Sequence, residues 1–534
     1  MKPDYIIIGA GSAGCVLANR LSENPSIQVL LLEAGGKDRA MDIHIPAAYS
    51  KLHHTAQNWN FSTEPQAHLN NRRFYQPRGK VLGGCSSINC MAYIRGNRED
   101  YNDWEHWGNK GWNYEAMLPY FRKSEHNEQF DNAYHGRGGL LNVTHNRNIT
   151  PLAEAFVHAN EACGIPANPD FNGAVQDGAG KFQFTIKNAR RHSTASAFLV
   201  PALQRPNLTV LTQAHTTRLL FEGERVSGVA FTKNGNNETQ VFAKREVILS
   251  AGAFQSPHLL MLSGIGDADY LKQFGIASRL DLKGVGQNLS DHLFVNLNVL
   301  CNQRLSYNNM DRFPWIFPNA LNYFLRKQGP FTSSPLEACS FFRSVEGLDR
   351  PDLQFHFAPA MGENMHDYPN RPKTEGFTLL PTLLKPKSRG YVGLHSNRYT
   401  DAPLIDPRYL SDDKGEDLAT LLRGVKKAIT ILLSDAFAPY RKENELNYPR
   451  QTDSDEALTA HILKACETVY HPCGTCKMGV DDLAVVTPEN LKVRGLQGLR
   501  VVDASVIPEV ISGNTNAPVI AVAEKAADLI LGAV

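Results

Sequence analysis

Asp4-Tyr5-Ile6-Ile7-Ile8-Gly9-Ala10-Gly11-Ser12-Ala13-Gly14 is followed, a helix's length later, by Val29-Leu30-Leu31-Leu32-Glu33-Ala34-Gly35, and this pair of segments decides the fold. Three consecutive isoleucines predict a buried parallel strand. The glycines after them permit a tight turn, close approach of backbone to a pyrophosphate, and close packing of the next helix on the sheet. The N-terminus of that helix carries unpaired N–H groups and the positive end of the dipole, so it attracts phosphate without a basic side chain. Glu33 ends a second apolar strand nineteen residues after Gly14, near the spacing at which a carboxylate accepts hydrogen bonds from a ribose diol. A three-glycine run alone is weak evidence. Strand, helix and acid in this order make a dinucleotide cradle.

Working outward, 534 residues can bury a large core, and 55 Lys and Arg against 54 Asp and Glu leave a net charge of +1. That balance gives no electrostatic case for nucleic acid or an anionic membrane surface, and it leaves a small neutral or zwitterionic substrate open. Nine cysteines, an odd number, suit a reduced compartment better than a full set of disulfides. The first strand begins almost at Met1 with no basic or apolar leader, so a cytoplasmic location is expected. Residues 247–266 form the longest charge-free apolar region, but Gln255, Pro257, His258 and several glycines break it into strand, loop and helix start. No transmembrane helix is expected; peripheral contact at the inner membrane is left open.

A second region, Pro77-Arg78-Gly79-Lys80-Val81-Leu82-Gly83-Gly84-Cys85-Ser86-Ser87-Ile88-Asn89, is rich in glycine and small hydroxyls. Read alone, it fits a surface loop as well as backbone running close to a flat ligand. Residues 207–228 and 240–249 alternate apolar and polar side chains and predict hairpin strands, the last returning the chain to the first sheet. A long middle section carries further strands at 353–357, 376–384 and 390–394. Residues 499–504 give another buried strand, followed by a loop and an expected amphipathic helix over 518–533. The fold class predicted is α/β with an α+β second domain. A Rossmann-like domain made of 1–150, 191–292 and 466–534 carries a discontinuous substrate domain, 151–190 and 293–465, built on an antiparallel sheet with flanking helices. Neither a repeat of solenoid length nor a low-complexity tract appears.

These motifs, with Tyr93-Ile94-Arg95-Gly96, Gly252-Ala253-Phe254-Gln255-Ser256-Pro257, Ser263-Gly264-Ile265-Gly266, Gly284-Val285-Gly286-Gln287-Asn288-Leu289, Asp291-His292, His471-Pro472-Cys473-Gly474-Thr475-Cys476-Lys477-Met478-Gly479 and Asn514-Thr515-Asn516-Ala517-Pro518, resemble the glucose-methanol-choline family of flavin-dependent oxidoreductases, its choline-dehydrogenase-like alcohol dehydrogenases most closely. The resemblance spans nearly the whole chain. It implies FAD, with Gly9, Gly11, Ser12, Ala13 and Gly14 at the pyrophosphate and Glu33 and Ala34 at the adenosine ribose. It further implies that Val81, Gly83 and residues 89–92, from Asn89 to Ala92, lie along the cofactor. Thr216 would face the adenine end, and Asp503, Ala504, Asn516 and Ala517 the flavin side. Some members attach FAD covalently through a histidine where this chain has Ile88, so a non-covalent cofactor is expected.

An alcohol releases hydride readily only once a base accepts its hydroxyl proton, and neutral histidine suits that task near neutral pH. Most of the 18 histidines are expected to be surface or core groups. His471 is set apart by its place in the motif, where the resemblance implies the active-site histidine. Asn514 matches the second active-site position and can donate a hydrogen bond to the substrate oxygen. Cys473 and Cys476 lack the partners of a zinc site or redox pair, so packing is expected and no metal is predicted. His53-His54 and Trp104/Trp107 are read as surface or packing residues. Glu337 is flagged as a carboxylate able to face a cationic alcohol, with a solvated loop glutamate the simpler reading. The leading function is oxidation of a small-molecule alcohol, with electrons passed to a quinone or other carrier. Its rivals are an oxygen-using oxidase, a flavin-containing hydroxynitrile lyase and an inert flavin-binding module.

Overall fold

The computed structural model describes residues 2–362, 370–442, 449–450 and 452–532. Strand β1 (Tyr5–Ile8) is fully buried and runs into helix α1 (Ser12–Leu21) through Gly9 and Gly11. Two glycines are demanded by geometry. Gly9 has φ +97, and a Cβ there would stand 2.5 Å from the Ser250 carbonyl oxygen; at Gly14 it would stand 1.9 Å from the carbonyl oxygen of Gly9. Only glycine lets α1 lie this close to the strand that feeds it.

β1 sits at the centre of a five-stranded parallel sheet with β2 (Val29–Leu32), β3 (Leu208–Leu211), β4 (Glu246–Leu249) and β5 (Leu499–Val501), in the order β3-β2-β1-β4-β5. Helix α1 packs on it, and the helix Asn516–Leu531 packs in turn on α1, in one large core. Full burial of each isoleucine or valine in these strands contributes about 1.5–3 kcal/mol. The order fits an α/β doubly wound sheet, whose ligands bind outside the carboxyl ends of the strands.

The second sheet is antiparallel, in the order Cys466–Thr468, Leu293–Val295, Gly376–Leu383, Leu353–Ala358, Ala338–Phe342 and Gly178–Lys181, with Leu297–Leu300 also on Gly376–Leu383. Helices Pro151–Ala162 and Glu416–Leu433 cover one face. Alternation along Leu353–Ala358 sends Phe355 and Phe357 into that covered core, which turns the intervening His356 to the other face.

Several local expectations change. Leu208–Leu211 is a parallel edge strand, and the hairpins are Ala214–Glu222, Arg225–Lys233 and Glu238–Phe242. The apolar stretch near 390 forms the hairpin Tyr391–Leu394 with Pro403–Asp406 and packs on the helix Gly252–Leu262 of the first core. Cys466–Thr468, on the cofactor side of the expected boundary, pairs with the substrate sheet. Helix Asn516–Leu531 is not amphipathic: Ala517 to Ala527 are all buried, because neighbouring helices cover it on several sides. Among the described residues no helix is long and apolar enough to cross a membrane.

Candidate active site

One cavity runs from the carboxyl ends of β1 and β2 to the face of the antiparallel sheet opposite its two covering helices. Its wall includes Gly9, Gly11, Ser12, Ala13, Glu33, Ala34, Asn89, Ala92, Thr216, Asp503, Ala504 and Asn516, and at the far end His471 and Asn514. Gly14, Val81, Gly83 and Ala517, expected beside the cofactor, stand behind this wall. Gly14 serves the strand–helix contact. Val81 packs with Ile43, Leu52 and Ile88, the Gly83 N–H donates to the Ala10 carbonyl at 2.7 Å, and Ala517 is buried in the first core.

At the cradle end, the Glu33 carboxylate accepts from the N–H groups of Ala10 (2.9 Å) and Gly35 (2.7 Å). Burial pushes its pKa up to about 7, against the lowering effect of those two bonds. Each oxygen keeps a lone pair for a ribose hydroxyl. The Ser12 hydroxyl donates to Asn516 Oδ1 at 2.7 Å, tying α1 to the C-terminal helix. Thr216 Oγ1 and Ser250 Oγ are buried without a protein partner, as groups awaiting a polar ligand are. Asp503 accepts from the Gly252 N–H and the Ser256 hydroxyl, capping the helix Gly252–Leu262 beside the cavity. Open helix N-terminus, buried carboxylate and orphan hydroxyls together fit a dinucleotide cofactor.

The far end is built around three histidines. His471 Nδ1 lies 3.0 Å from His292 Nδ1, and His292 Nε2 lies 3.0 Å from the carbonyl oxygen of Leu384. A carbonyl only accepts, so the proton of neutral His292 is on Nε2 and its Nδ1 is a lone pair. His471 must therefore donate from Nδ1, which leaves its Nε2 an acceptor that can take the Asn514 amide N–H. Asn514 Nδ2 lies 3.2 Å from that Nε2. Asp291 holds the backbone, accepting the His471 N–H at 2.8 Å while also taking Tyr409 and Thr468 hydroxyls at 2.5 Å each. Burial pushes the His471 pKa well below 6.5, reinforced by His292, His356 and Arg78. His292 and His356 are driven down to about 3, also chiefly by burial. His471 is held neutral at physiological pH.

His356 was missed by the sequence reading. Thr382 Oγ1 donates to the Leu380 carbonyl and so accepts from His356 Nδ1, leaving His356 Nε2 a buried acceptor with no protein partner in the cavity wall. Its signal was the apolar–polar alternation Gln354-Phe355-His356-Phe357. Tyr49 and His53 also line the cavity. The linkage through His292 had no local signal at all, since it joins residues 179 apart. Glu337 is neither solvated nor in the cavity wall: it is buried and accepts from Thr150 and Tyr307. Cys473 and Cys476 are buried in the first core, where loss of solvent pushes both thiols up.

A parallel dinucleotide-binding sheet, an antiparallel second sheet and a histidine–asparagine pair at their junction define a flavin-dependent oxidoreductase. The chain belongs to the GMC oxidoreductase family, whose N- and C-terminal models match residues 3–294 and 386–523, and its cofactor is FAD. It is 45% identical over 533 residues, 99% of this chain and 95% of the relative, to the alcohol dehydrogenase [acceptor] of Pseudomonas putida. It is 41% identical over 538 residues to mitochondrial choline dehydrogenase of Mus musculus, covering 99% of this chain and 89% of that one. A solved variant of formate oxidase from Aspergillus oryzae, studied for the effect of mutation on FAD modification, superposes with TM-score 0.92 at 29% identity, over 100% of this chain and 98% of that one.

Proposed function

We propose that this chain oxidises a neutral alcohol to an aldehyde or ketone, with His471 Nε2 taking the hydroxyl proton. The observation that carries this reading is the chain Leu384 carbonyl–His292–His471, which leaves a lone pair on the cavity side of His471. Bound FAD supplies the hydride acceptor. One Asn514 Nδ2–H is directed at His471 Nε2 and the other donates to the alcohol oxygen, orienting the carbon that loses hydride, while Asp291 fixes the backbone from which His471 projects. Gly9, Gly11, Ser12, Ala13 and Glu33 hold the adenosine and pyrophosphate end. Ile88 offers no nucleophile, which supports a non-covalent cofactor.

Two features favour a neutral alcohol over a quaternary ammonium alcohol. The only carboxylates in the cavity wall among the described residues are Glu33, at the cradle, and Asp503, which caps a helix. The substrate end includes Phe294, Leu336, Leu380, Val469 and the rings of Tyr49, His53 and Tyr470 with the His356 acceptor, and none of these side chains supplies a carboxylate counter-charge for a cation. The likeness to an acceptor-dependent alcohol dehydrogenase supports transfer of electrons to a quinone or other carrier; oxygen is the rival acceptor. The test is anaerobic bleaching of the flavin by a panel of alcohols. Neutral aliphatic and aromatic alcohols are expected to bleach it faster than choline, and the reverse order contradicts the neutral-substrate reading.

A further inference from the structure

Six large apolar side chains lie exposed within thirteen residues: Phe313 (82%), Trp315, Phe317 (67%), Leu321, Phe324 and Leu325 (73%). Scattered exposed apolar residues need no explanation, but a contiguous group does. The segment is the helix Ile316–Leu321, which continues into the wider-wound turn Asn322–Arg326 and stops at Lys327, in left-handed conformation. Its inner side is satisfied, since Ile316, Ala320 and Tyr323 pack with Ala47 and Phe331. The outer residues Phe317, Leu321, Phe324 and Leu325 recur at i, i+4, i+7 and i+8, a second apolar stripe that points to solvent.

Among the described residues of the segment 304–327, basic side chains outnumber acidic ones four to one. The Arg304 guanidinium lies 3.3 Å from the centre of the Trp315 ring, and Arg312, Arg326 and Lys327 flank the helix. The single acid of the segment, Asp311, is already engaged by Arg371 and by Lys51 at 3.3 Å. The near-neutral total charge of the chain therefore conceals a local basic patch. We propose that this face docks the protein on an anionic phospholipid surface, Phe and Leu side chains entering the acyl boundary and the Arg and Lys heads reaching phosphate. Aromatic and leucine side chains rimmed by basic residues are the composition of an interfacial helix. A second copy is disfavoured, because a two-fold contact sets the same basic cluster against itself.

The helix rests on the turn Pro46–Leu52, whose Tyr49 lines the cavity. Docking brings that wall beside the bilayer, where apolar alcohols and quinones concentrate; this consequence rests on the alcohol-oxidation reading, and the docking itself does not. The test is flotation of the FAD-loaded full chain with vesicles of phosphatidylcholine alone or mixed with phosphatidylglycerol, against the triple variant Phe317→Ser, Leu321→Ser, Phe324→Ser. The wild type is expected to float with the anionic vesicles, about tenfold less with neutral ones or in high salt, and the variant about tenfold less than the wild type. The variant should keep its flavin and its rate with a soluble dye acceptor, which separates docking from folding and from chemistry. A wild type that stays with the soluble fraction, a variant that floats equally well, or a wild-type dimer that the triple variant converts to monomer without any flotation each overturns the proposal, the last assigning the face to a second copy.

Discussion

At the residue scale, the proposed chemistry rests on the proton positions of His292 and His471, which a single backbone carbonyl sets. His292→Phe keeps an aromatic ring but removes the acceptor for His471 Nδ1–H, leaving a buried donor unpaired at a cost of about 1–3 kcal/mol. Flavin reduction by alcohol is expected to slow by about 10- to 100-fold, less than for loss of His471 itself, with FAD content unchanged. Retention of the wild-type rate by His292→Phe, measured by rapid-mixing reduction, excludes this positioning role. His471 was singled out in the sequence because its motif is contiguous. His292 was quoted there without a role, and His356 was passed over, because their meaning arises only when strands distant in sequence are brought together. Glu337 illustrates the converse: a carboxylate in a suggestive segment whose oxygens are already taken by Thr150 and Tyr307.

At the element scale, the junction of β1 and α1 was readable because strand, glycine turn and helix N-terminus follow each other directly, and each step has a steric cause. Gly14→Ala places a methyl group 1.9 Å from a backbone oxygen that no side-chain rotation can relieve. It is expected to destabilise the protein by about 1–3 kcal/mol or more and to lower FAD occupancy, because α1 must move off the sheet. Gly36→Ala is the matched control, since its Cβ meets no atom within 4 Å; equal flavin content and equal melting temperature in both variants contradict the argument. The C-terminal helix was misread as amphipathic because a run of alanines and valines does not reveal how many neighbours will cover it. The segment 313–325 passed unnoticed for a related reason. Its apolar residues suit a core helix, and only the structure shows that one of its faces is left in solvent.

At the scale of the whole molecule, two sheets of different construction meet along one cavity, the parallel sheet presenting strand ends and helix N-terminus and the antiparallel sheet presenting His356, Leu380 and Phe294. The division into a cofactor part and a substrate part was legible from changes in hydrophobic period. The exchange of Cys466–Thr468 and Tyr391–Leu394 between the two parts was not, since short strands carry no mark of their partner. Because Ile88 supplies no atom for a covalent bond, acid precipitation is expected to release FAD into the supernatant, and flavin retained in the pellet contradicts the non-covalent reading. The central claim, that His471 is the base for alcohol oxidation, is tested most directly by anaerobic reduction of the bound flavin in wild type and His471→Ala over a pH series. Burial holds the His471 pKa well below 6.5, so the base is already neutral above that value. The wild-type rate is expected to stay level from about pH 6.5 upward, its falling limb confined to more acid pH. His471→Ala should be slower by about 10²- to 10⁴-fold, with a residual rate that rises with hydroxide. A variant reduced at the wild-type rate at neutral pH contradicts the account.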